Sequence, residues 1–302
     1  MGASSSCRIF EAFSDALKFI LEKHYGVTNV VKVLDDFLFI GDDLEECKFA
    51  LDSFRSLCGL LGVPLSEKKT VEPTRLITFL GYQIDMEAKV ISIPREKIVS
   101  YKEHAQSLIN KDFTTLREIR SMVGQLGFVT NVIQGGKTFL RRLHDLTKRK
   151  HNNNQIIKVS KSAKLDLTTW VTFLSYFNGK ALLTSKVKLT SEEINFFSDS
   201  CESGFGAVLG KEYIQGVFPP KWKHRGIQFL ELFPIFIMVE LFAPQLAHKS
   251  ITFYSDNIAV VGSINKLSSR NKNVMRLLRP MVLQLMIHNI KFDAKHIRGV
   301  NN

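Results

Sequence analysis

Cysteine is scarce in this chain of 302 residues. The four cysteines are scattered and form no Cys-x-x-Cys pair, being Cys7, Cys47, Cys58 and Cys201. Their spacing argues against a zinc knuckle and a disulfide framework, and it favours a reducing compartment. No positively charged start leads into an apolar run, so the sequence predicts no secretory signal. We therefore expect an intracellular protein, cytoplasmic or nuclear, that is not secreted.

Acidic residues are also in short supply. Asp and Glu number 29 against 41 Lys and Arg, which gives a net charge of +12 and a pI near 9.5. This charge fits a polyanionic partner, with nucleic acid first and an anionic membrane surface second. The sequence has no internal repeat and no low-complexity run, and its 45% hydrophobic content excludes a disordered protein. Its length suggests two or three domains.

A long apolar run free of charge and proline is missing as well. The most apolar stretch, 229–246, carries two glutamates and two prolines, so we predict a buried helix and no membrane partner. One targeting pattern is present, because residues 1–6 fit the N-myristoylation motif and Cys7 could be a second acylation site. The motif is short and easily met by chance. A lipid-anchored interaction protein is therefore the third of the functions considered.

The stretch 30–41 places two adjacent acids, Asp35 and Asp36, between two apolar runs rich in β-branched and aromatic residues. This pattern predicts a strand, a tight turn and a returning strand. Adjacent carboxylates repel each other unless a cation neutralises them. Mg²⁺ is the usual cation, since it prefers carboxylate oxygen together with substrate phosphate. An acidic hairpin turn without a metal is an equally good interpretation of this stretch by itself.

A second group of acids lies at the ends of predicted strands and a helix in the last third of the chain. Asp199 and Asp256 end two strands that are predicted to be neighbours, and Glu231 lies on the helix between them. Because proline fits best in the first turn of a helix, Pro234 predicts that Glu231 lies near the amino end. Glu240, nine residues further on, is predicted to face solvent.

Four stretches of the chain resemble the motifs of reverse transcriptases, and they occur in the family's order. Residues 33–36 (Val-Leu-Asp-Asp) are similar to the family's Asp-Asp hairpin, and residues 60–70 are similar to the lysine-bearing loop that follows it. Residues 77–85 resemble the "FLGY" hairpin that grips the primer, and residues 1–11 resemble the Gly-rich segment that contacts the template. The strongest resemblance is to retrotransposon polymerases of the DIRS group and related LTR-type retroelements.

The resemblance implies roles for residues in these stretches. Asp35 and Asp36 would be catalytic ligands of Mg²⁺ during nucleotide addition, and Lys68 and Lys69 would bind the phosphates of the incoming nucleotide. The residues implied to contact primer or template are Gly2, Phe79, Leu80, Gly81 and Tyr82.

The second group of acids resembles the metal site of retroelement ribonucleases H. The triplets centred on Asp199, Glu231 and Asp256 match its first three acids, and the order of predicted strands and helices is that of a ribonuclease H fold. The resemblance implies two Mg²⁺ ions, with Mn²⁺ as an alternative, that cut RNA in an RNA–DNA hybrid. His296 matches the family's mobile histidine, which assists product departure. The family's fourth acid would lie just past residue 302.

The predicted fold class is α+β with several domains. By the resemblance, residues 1–93 are part of a reverse-transcriptase palm and 94–151 form a helical thumb. Residues 152–190 are a linker or connection, and 191–302 form an α/β ribonuclease H-like domain that lacks its extreme carboxyl terminus.

Small residues recur on one face of the predicted helix 115–133, at Ser121, Gly124 and Gly127. They would allow a partner, such as a backbone strand of a duplex, to approach the helix closely. Simple helix–helix packing explains the same pattern equally well.

The resemblance is incomplete at both ends. The family's first catalytic aspartate would precede Met1, Val33 stands where an aromatic residue is common, and Arg298 stands where proline is usual. We therefore expect a carboxy-terminal fragment: a truncated or decaying copy, or an incomplete gene model. The implied partners are an RNA template, a DNA primer and an RNA–DNA hybrid. The main alternative is a non-catalytic nucleic-acid-binding remnant of a retroelement, and the sequence does not predict an oligomeric state.

Overall fold

The computed structural model describes residues 4–177, 181–182 and 188–298. The chain divides into two compact units, Met1–Pro94 and Arg95–Asn302. Both units combine helices with short strands, so the predicted mixture of α and β structure is confirmed.

The first unit pairs two helices with two groups of short strands. In chain order its elements are α1 (Ser6–Ile20, continued by a π-helical turn Leu21–Tyr25), β1 (Val30–Val33), β2 (Asp36–Phe39), α2 (Leu44–Leu61), β3 (Leu76–Phe79), β4 (Tyr82–Asp85) and β5 (Val90–Ser92). Leu17 and Leu21 from the first helical segment meet Phe54 and Leu57 of α2 in one buried cluster. Val30 of β1 joins the same cluster, so the β1–β2 hairpin is fixed to the helices.

Glycines and one aspartate set the ends of these elements. Gly26, with a left-handed φ of +71°, ends the π-helical turn that follows α1. Gly62, with a left-handed φ of +67°, ends α2. Asp43 caps the start of α2 by accepting a hydrogen bond from the Glu46 backbone at 2.8 Å. Strands β3, β4 and β5 follow as an antiparallel meander.

The second unit is longer and has a helical part followed by a part with two sheets. Its elements are α3 (Arg95–Asn110), β6 (Phe113–Thr115), α4 (Leu116–Val129), a 3₁₀ turn (Gln134–Phe139), α5 (Arg141–Thr147), β7 (Ile156–Lys158), α6 (Lys161–Tyr176), β8 (Ala181–Leu182), β9 (Lys188–Thr190), β10 (Phe196–Ser200), β11 (Gly204–Leu209), β12 (Glu212–Val217), a 3₁₀ turn (Pro220–Arg225), α7 (Ile227–Phe242), a 3₁₀ turn (Ala243–Leu246), β13 (Ser250–Ser255), α8 (Ile258–Lys266), α9 (Lys272–Ile287) and β14 (Lys291–His296).

A buried ion cluster ties the helical part of this unit to α9. Asp166 of α6, whose side chain is 1% exposed, accepts a hydrogen bond from Arg142 of α5 at 2.8 Å. The guanidinium of Arg279 on α9 lies 3.4 Å from the same carboxylate. Trp170 and Phe173 of α6 are fully buried, whereas Tyr176 at the end of the same helix is 83% exposed.

Helix α4 begins with a capping box. Thr115 accepts a hydrogen bond from the Glu118 backbone at 3.2 Å, and the Glu118 carboxylate accepts one from the Thr115 backbone at 3.2 Å. Hydrogen bonds from Thr114, from Lys111 and from the Thr115 backbone lower the pKa of Glu118 from 4.5 to about 2.

We expect this cap to make the stability of the second unit depend on pH. A carboxyl whose pKa is lower in the folded state stabilises the fold above its unfolded pKa, near 4.5, and the stabilisation disappears as the pH falls toward 2. Glu118→Gln should make the melting temperature less dependent on pH over this window. Thr115→Ala should destabilise the unit by about 1 kcal/mol. Thermal melts of the three proteins between these pH values test both, and parallel profiles for wild type and Glu118→Gln would contradict the assignment.

Two three-stranded sheets form the second part of this unit. Strands β10, β11 and β12 are antiparallel, whereas β13 pairs in parallel with both β14 and β9. Among the described residues, the strands that end at Asp199 and Asp256, which were predicted to be neighbours, share no backbone ladder. Strand β9 takes the place beside β13 instead of β10. The Ser191 backbone, directly after β9, donates to the Thr252 carbonyl at 2.9 Å and continues this pairing.

Strand β10 nevertheless packs beside β13 through side chains. The rings of Phe196 and Phe253 meet edge to face at 4.9 Å, and both are buried. This contact brings the strand that carries Asp199 next to the strand that precedes Asp256, within one hydrophobic core.

Helix α7 corrects two predictions. Pro234 lies inside the helix, which begins at Ile227, rather than in its first turn. Burial of its neighbours Leu232 and Ile235 in the core compensates for the backbone hydrogen bond that proline cannot donate. Glu240 is half-buried rather than solvated, since α9 covers its side of the helix and Gln284 donates to its Oε1 at 3.2 Å.

The same helix, extended to Leu246, is long and apolar enough to cross a membrane by length and composition, with a mean hydropathy of 1.7. Phe229, Leu230, Met238 and Val239 are each about 1% exposed or less in the core of the unit. This burial agrees with the prediction of a buried helix.

Candidate functional site

Three acids predicted from the sequence approach one another from separate elements of the second unit. Asp199 is the fourth residue of β10, Glu231 is the fifth residue of α7, and Asp256 directly follows β13. Asp199 and Asp256 are exposed, whereas Glu231 is half-buried. We call Asp199, Glu231 and Asp256 the carboxylate cluster.

Glu231 is electrostatically coupled to the two aspartates of the cluster. Burial raises the pKa of Glu231, and the nearby negative charges of Asp256 and Asp199 raise it further. A hydrogen bond with the Asn257 side chain opposes these effects. A bound cation would favour the charged form of Glu231, because it would offset both the burial and the repulsion.

Asn257 is a member of this site that the sequence analysis did not assign. Its Oδ1 caps α8 by accepting from the backbones of Ala259 at 2.9 Å and Val260 at 3.1 Å. Its amide nitrogen is thereby left for the Glu231 carboxylate, since an asparagine side chain has both an acceptor and a donor end. The signal was an asparagine between a strand-ending acid and a helical run, which is typical of a helix cap.

His296 lies at the same edge as Asp256. It ends β14, whose parallel pairing with β13 sets His296 opposite Ser255. Its Nε2 donates to the backbone carbonyl of Asp256 at 3.1 Å, and its side chain is exposed. The structure therefore places all four predicted residues of the carboxy-terminal site in one region.

The donor set suits a hard divalent cation such as Mg²⁺, which prefers carboxylate oxygens. Asp199 is already oriented by the Ser200 backbone, which donates to its Oδ1 at 2.8 Å. Among the described residues, however, no group of three or more His, Cys, Asp or Glu side chains is placed to hold a metal ion. The carboxylates must therefore turn toward each other for a metal to bind.

Asp35 and Asp36 lie at the tip of the β1–β2 hairpin, as predicted, and both are exposed. Leu34 adopts a left-handed φ of +53° in the turn. Its backbone donates to Glu11 Oε2 at 3.1 Å and accepts from Ser14 Oγ at 2.6 Å. Helix α1 thus holds the turn that presents the two aspartates.

Lys32 adds a second connection between this hairpin and α1. Its ammonium lies 2.7 Å from both Glu11 and Asp15, and its side chain is 6% exposed. Burial alone would lower the pKa of Lys32, but the hydrogen bonds with Asp15 and Glu11 raise it. The sequence analysis missed Glu11, Ser14 and Lys32, because their contacts span about twenty positions of the chain.

The other predicted polymerase residues lie at separate turns of the first unit. Lys68 and Lys69 are exposed in a turn after α2, where the Lys69 backbone donates to Ser66 at 2.9 Å. Residues 79–82 form the β3–β4 hairpin, with Leu80 and Gly81 at φ of +49° and +82° in its two-residue turn. The remaining predicted contact, Gly2, lies outside the described residues.

No family model and no curated protein matches the chain. Three solved structures of foamy viral protease-reverse transcriptase are similar to it. A complex with double-stranded DNA is 18% identical with a TM-score of 0.46, covering 95% of this chain and 49% of that one. A complex with RNA/DNA hybrid is 16% identical with a TM-score of 0.43, covering 94% and 37%.

A further complex of the foamy viral protein with double-stranded DNA is 17% identical with a TM-score of 0.44. That match covers 96% of this chain and 58% of that one. The chain thus spans between about a third and three fifths of the length of these proteins. At these identities and TM-scores, the likeness establishes neither a family nor an activity for this chain.

Proposed function

We propose that the second unit hydrolyses the RNA strand of an RNA–DNA hybrid at the carboxylate cluster, with Mg²⁺ or Mn²⁺ as the cofactor. The observation that carries this proposal is that Asp199, Glu231 and Asp256 come from separate elements to one region, where His296 contacts the Asp256 backbone. Three carboxylates from three elements raise one another's energy unless a cation lies between them. The net charge of +12 supports a polyanionic substrate.

Each residue of the site has a defined task in this proposal. Asp199, Glu231 and Asp256 would hold the metal ions, which when bound neutralise charge on the attacking and leaving oxygens of the phosphodiester. Asn257 orients Glu231, because its Oδ1 is fixed by the cap of α8 and its amide contacts the carboxylate. His296, attached to the Asp256 carbonyl and exposed, would assist the departure of the product.

We further propose that the chain is related to retroelement polyproteins of the DIRS and LTR types and works inside the cell. In this proposal residues 1–93 are part of a polymerase palm, 94–151 a thumb, 152–190 a connection and 191–302 a ribonuclease H-like domain. Asp35 and Asp36 would bind the metal for nucleotide addition to a DNA primer on an RNA template. The fixed Leu34 turn, which presents both carboxylates to solvent, supports this role.

A cleavage assay with four labelled substrates tests the main proposal. The full chain is incubated with an RNA–DNA hybrid, single-stranded RNA, duplex RNA and duplex DNA, in Mg²⁺, in Mn²⁺ and in EDTA. We expect cutting of the RNA in the hybrid alone, and only with metal, because a hybrid differs from DNA by its 2′-hydroxyls and from duplex RNA by its shape. A chain that binds the hybrid but cuts it under none of these conditions would be a non-catalytic remnant.

A further inference from the structure

An open groove of about 610 Å³ in the second unit lies apart from the residues of the carboxylate cluster. Its walls are the end of α4, the 3₁₀ turn Gln134–Phe139, helix α5 and the end of α8 with the residues after it. Four cationic side chains line it, and we call this space the basic groove. The cations are Lys137, Arg141, Lys148 and Lys266.

The positive charge of the basic groove is only partly balanced. Asp145 pairs with both Arg141 and Lys148, so one carboxylate serves two cations. Lys137 and Lys266 are exposed and form no ion pair in the part of the chain that the structure describes. The groove therefore favours an anion, which would relieve repulsion that the protein leaves uncompensated.

A buried hydrogen bond holds the two lysine-bearing walls together. Thr138, which is fully buried, donates from Oγ1 to the backbone carbonyl of Leu267 at 2.6 Å. These residues directly follow Lys137 and Lys266. The backbones that carry the two unpaired lysines are thus joined, and the groove does not depend on a flexible loop.

One of the small residues of α4, Gly127, opens onto this groove. Gly127 lines it, and a Cβ built on Gly127 or Gly124 would meet nothing within 4 Å. Helix–helix packing, one of the two interpretations of the small residues, is therefore not supported at these glycines. The missing side chain at Gly127 leaves the helix backbone accessible to a strand that lies in the groove.

We infer that the basic groove binds the sugar–phosphate backbone of a nucleic-acid strand, at a site separate from the carboxylate cluster. The inference rests on the proposed function in that the strand belongs to the hybrid that the second unit would cut. The groove is an open trough, too large for one phosphate group to fill, and Ser268 adds a hydroxyl donor beside the ammonium groups of Lys137 and Lys266. These donors recognise phosphate without reading the bases.

A binding experiment without divalent metal separates this inference from catalysis. Fluorescence anisotropy of a labelled RNA–DNA hybrid is measured with the full chain in EDTA over a range of salt concentrations. Lys137→Gln/Lys266→Gln should reduce the slope of log K against log salt by about 2, one for each lost phosphate contact. The matched control is Lys211→Gln/Lys221→Gln, which removes the same charge from exposed residues outside the groove and should leave the slope unchanged.

A steric variant gives a second readout that leaves the charge intact. Gly127→Leu should weaken binding several-fold, because its side chain would extend into the groove, whereas Gly59→Leu, in open space on α2, should not. Thermal melts verify that each variant is folded. Equal slopes for the two double variants, together with unchanged binding by Gly127→Leu, would overturn the inference. If the groove inference fails but the chain still cuts the hybrid, the proposed function stands. If the lysine variants reduce the slope but the chain cuts no hybrid, the groove inference stands and the proposed function fails.

Discussion

We expect Asp256→Asn to lower the proposed cleavage of RNA in a hybrid by about 10²–10³-fold, the usual effect of removing one group that stabilises charge in the transition state. The substitution keeps the shape of the side chain and removes its charge. Asp256 is exposed and follows β13, so we expect the substitution to leave the fold unchanged. Asp199→Asn is expected to reduce the rate by a comparable factor, since Asp199 is exposed as well.

A second readout links this loss to the cluster itself. The negative charge of Asp256 contributes to the raised pKa of Glu231, so its removal should lower that pKa. NMR titration of the Glu231 carboxyl in wild type and in Asp256→Asn measures the change directly. An Asp256 carboxylate that lies away from Glu231 would not produce a shift in this direction.

The matched control is Glu212→Gln, which removes one negative charge from an exposed residue of β12. It should leave both the rate and the titration of Glu231 unchanged. Persistent cleavage by Asp256→Asn, with Glu231 titrating as in wild type, would show that the metal site is assigned to the wrong residues.

Local sequence signals predicted the elements whose ends are fixed by near neighbours. Pro94 is typical of a helix start, and α3 begins at the next residue and runs to Asn110. The turn between β1 and β2 lies where the apolar runs meet the two aspartates. The positions of Gly26 and Gly62 likewise predict the helix ends, since left-handed backbone favours glycine.

Features that depend on distant parts of the chain were not predictable in the same way. A helical wheel gives the angle between Glu231 and Glu240 but not the presence of α9 over Glu240. The insertion of β9 beside β13 depends on a backbone contact between Ser191 and Thr252, about sixty residues apart. The acids of the carboxylate cluster were found because each lies close to the end of a predicted strand or helix, whereas Asn257 acts through a contact across the fold.

The ion cluster around Asp166 makes the stability of the second unit sensitive to single substitutions. Burial raises the pKa of Asp166 and lowers that of Arg279, so removal from water outweighs their mutual attraction. Asp166→Ala leaves Arg279, whose side chain is 14% exposed, without its counter-ion. We expect a loss of about 3–5 kcal/mol of unfolding free energy, measured by urea denaturation of the full chain.

Removing both charges should cost far less than removing one. In Asp166→Leu/Arg279→Met no unpaired charge stays buried at the centre of the cluster, and Arg142, which is 31% exposed, can turn to solvent. The double variant is therefore expected to be close to wild type in stability, or more stable. The reason is that apolar contacts replace an ion pair whose desolvation cost exceeds the attraction between its charges. If the double variant instead loses as much stability as Asp166→Ala, or if Asp166→Ala is harmless, then the ion cluster is not what makes the single substitution costly.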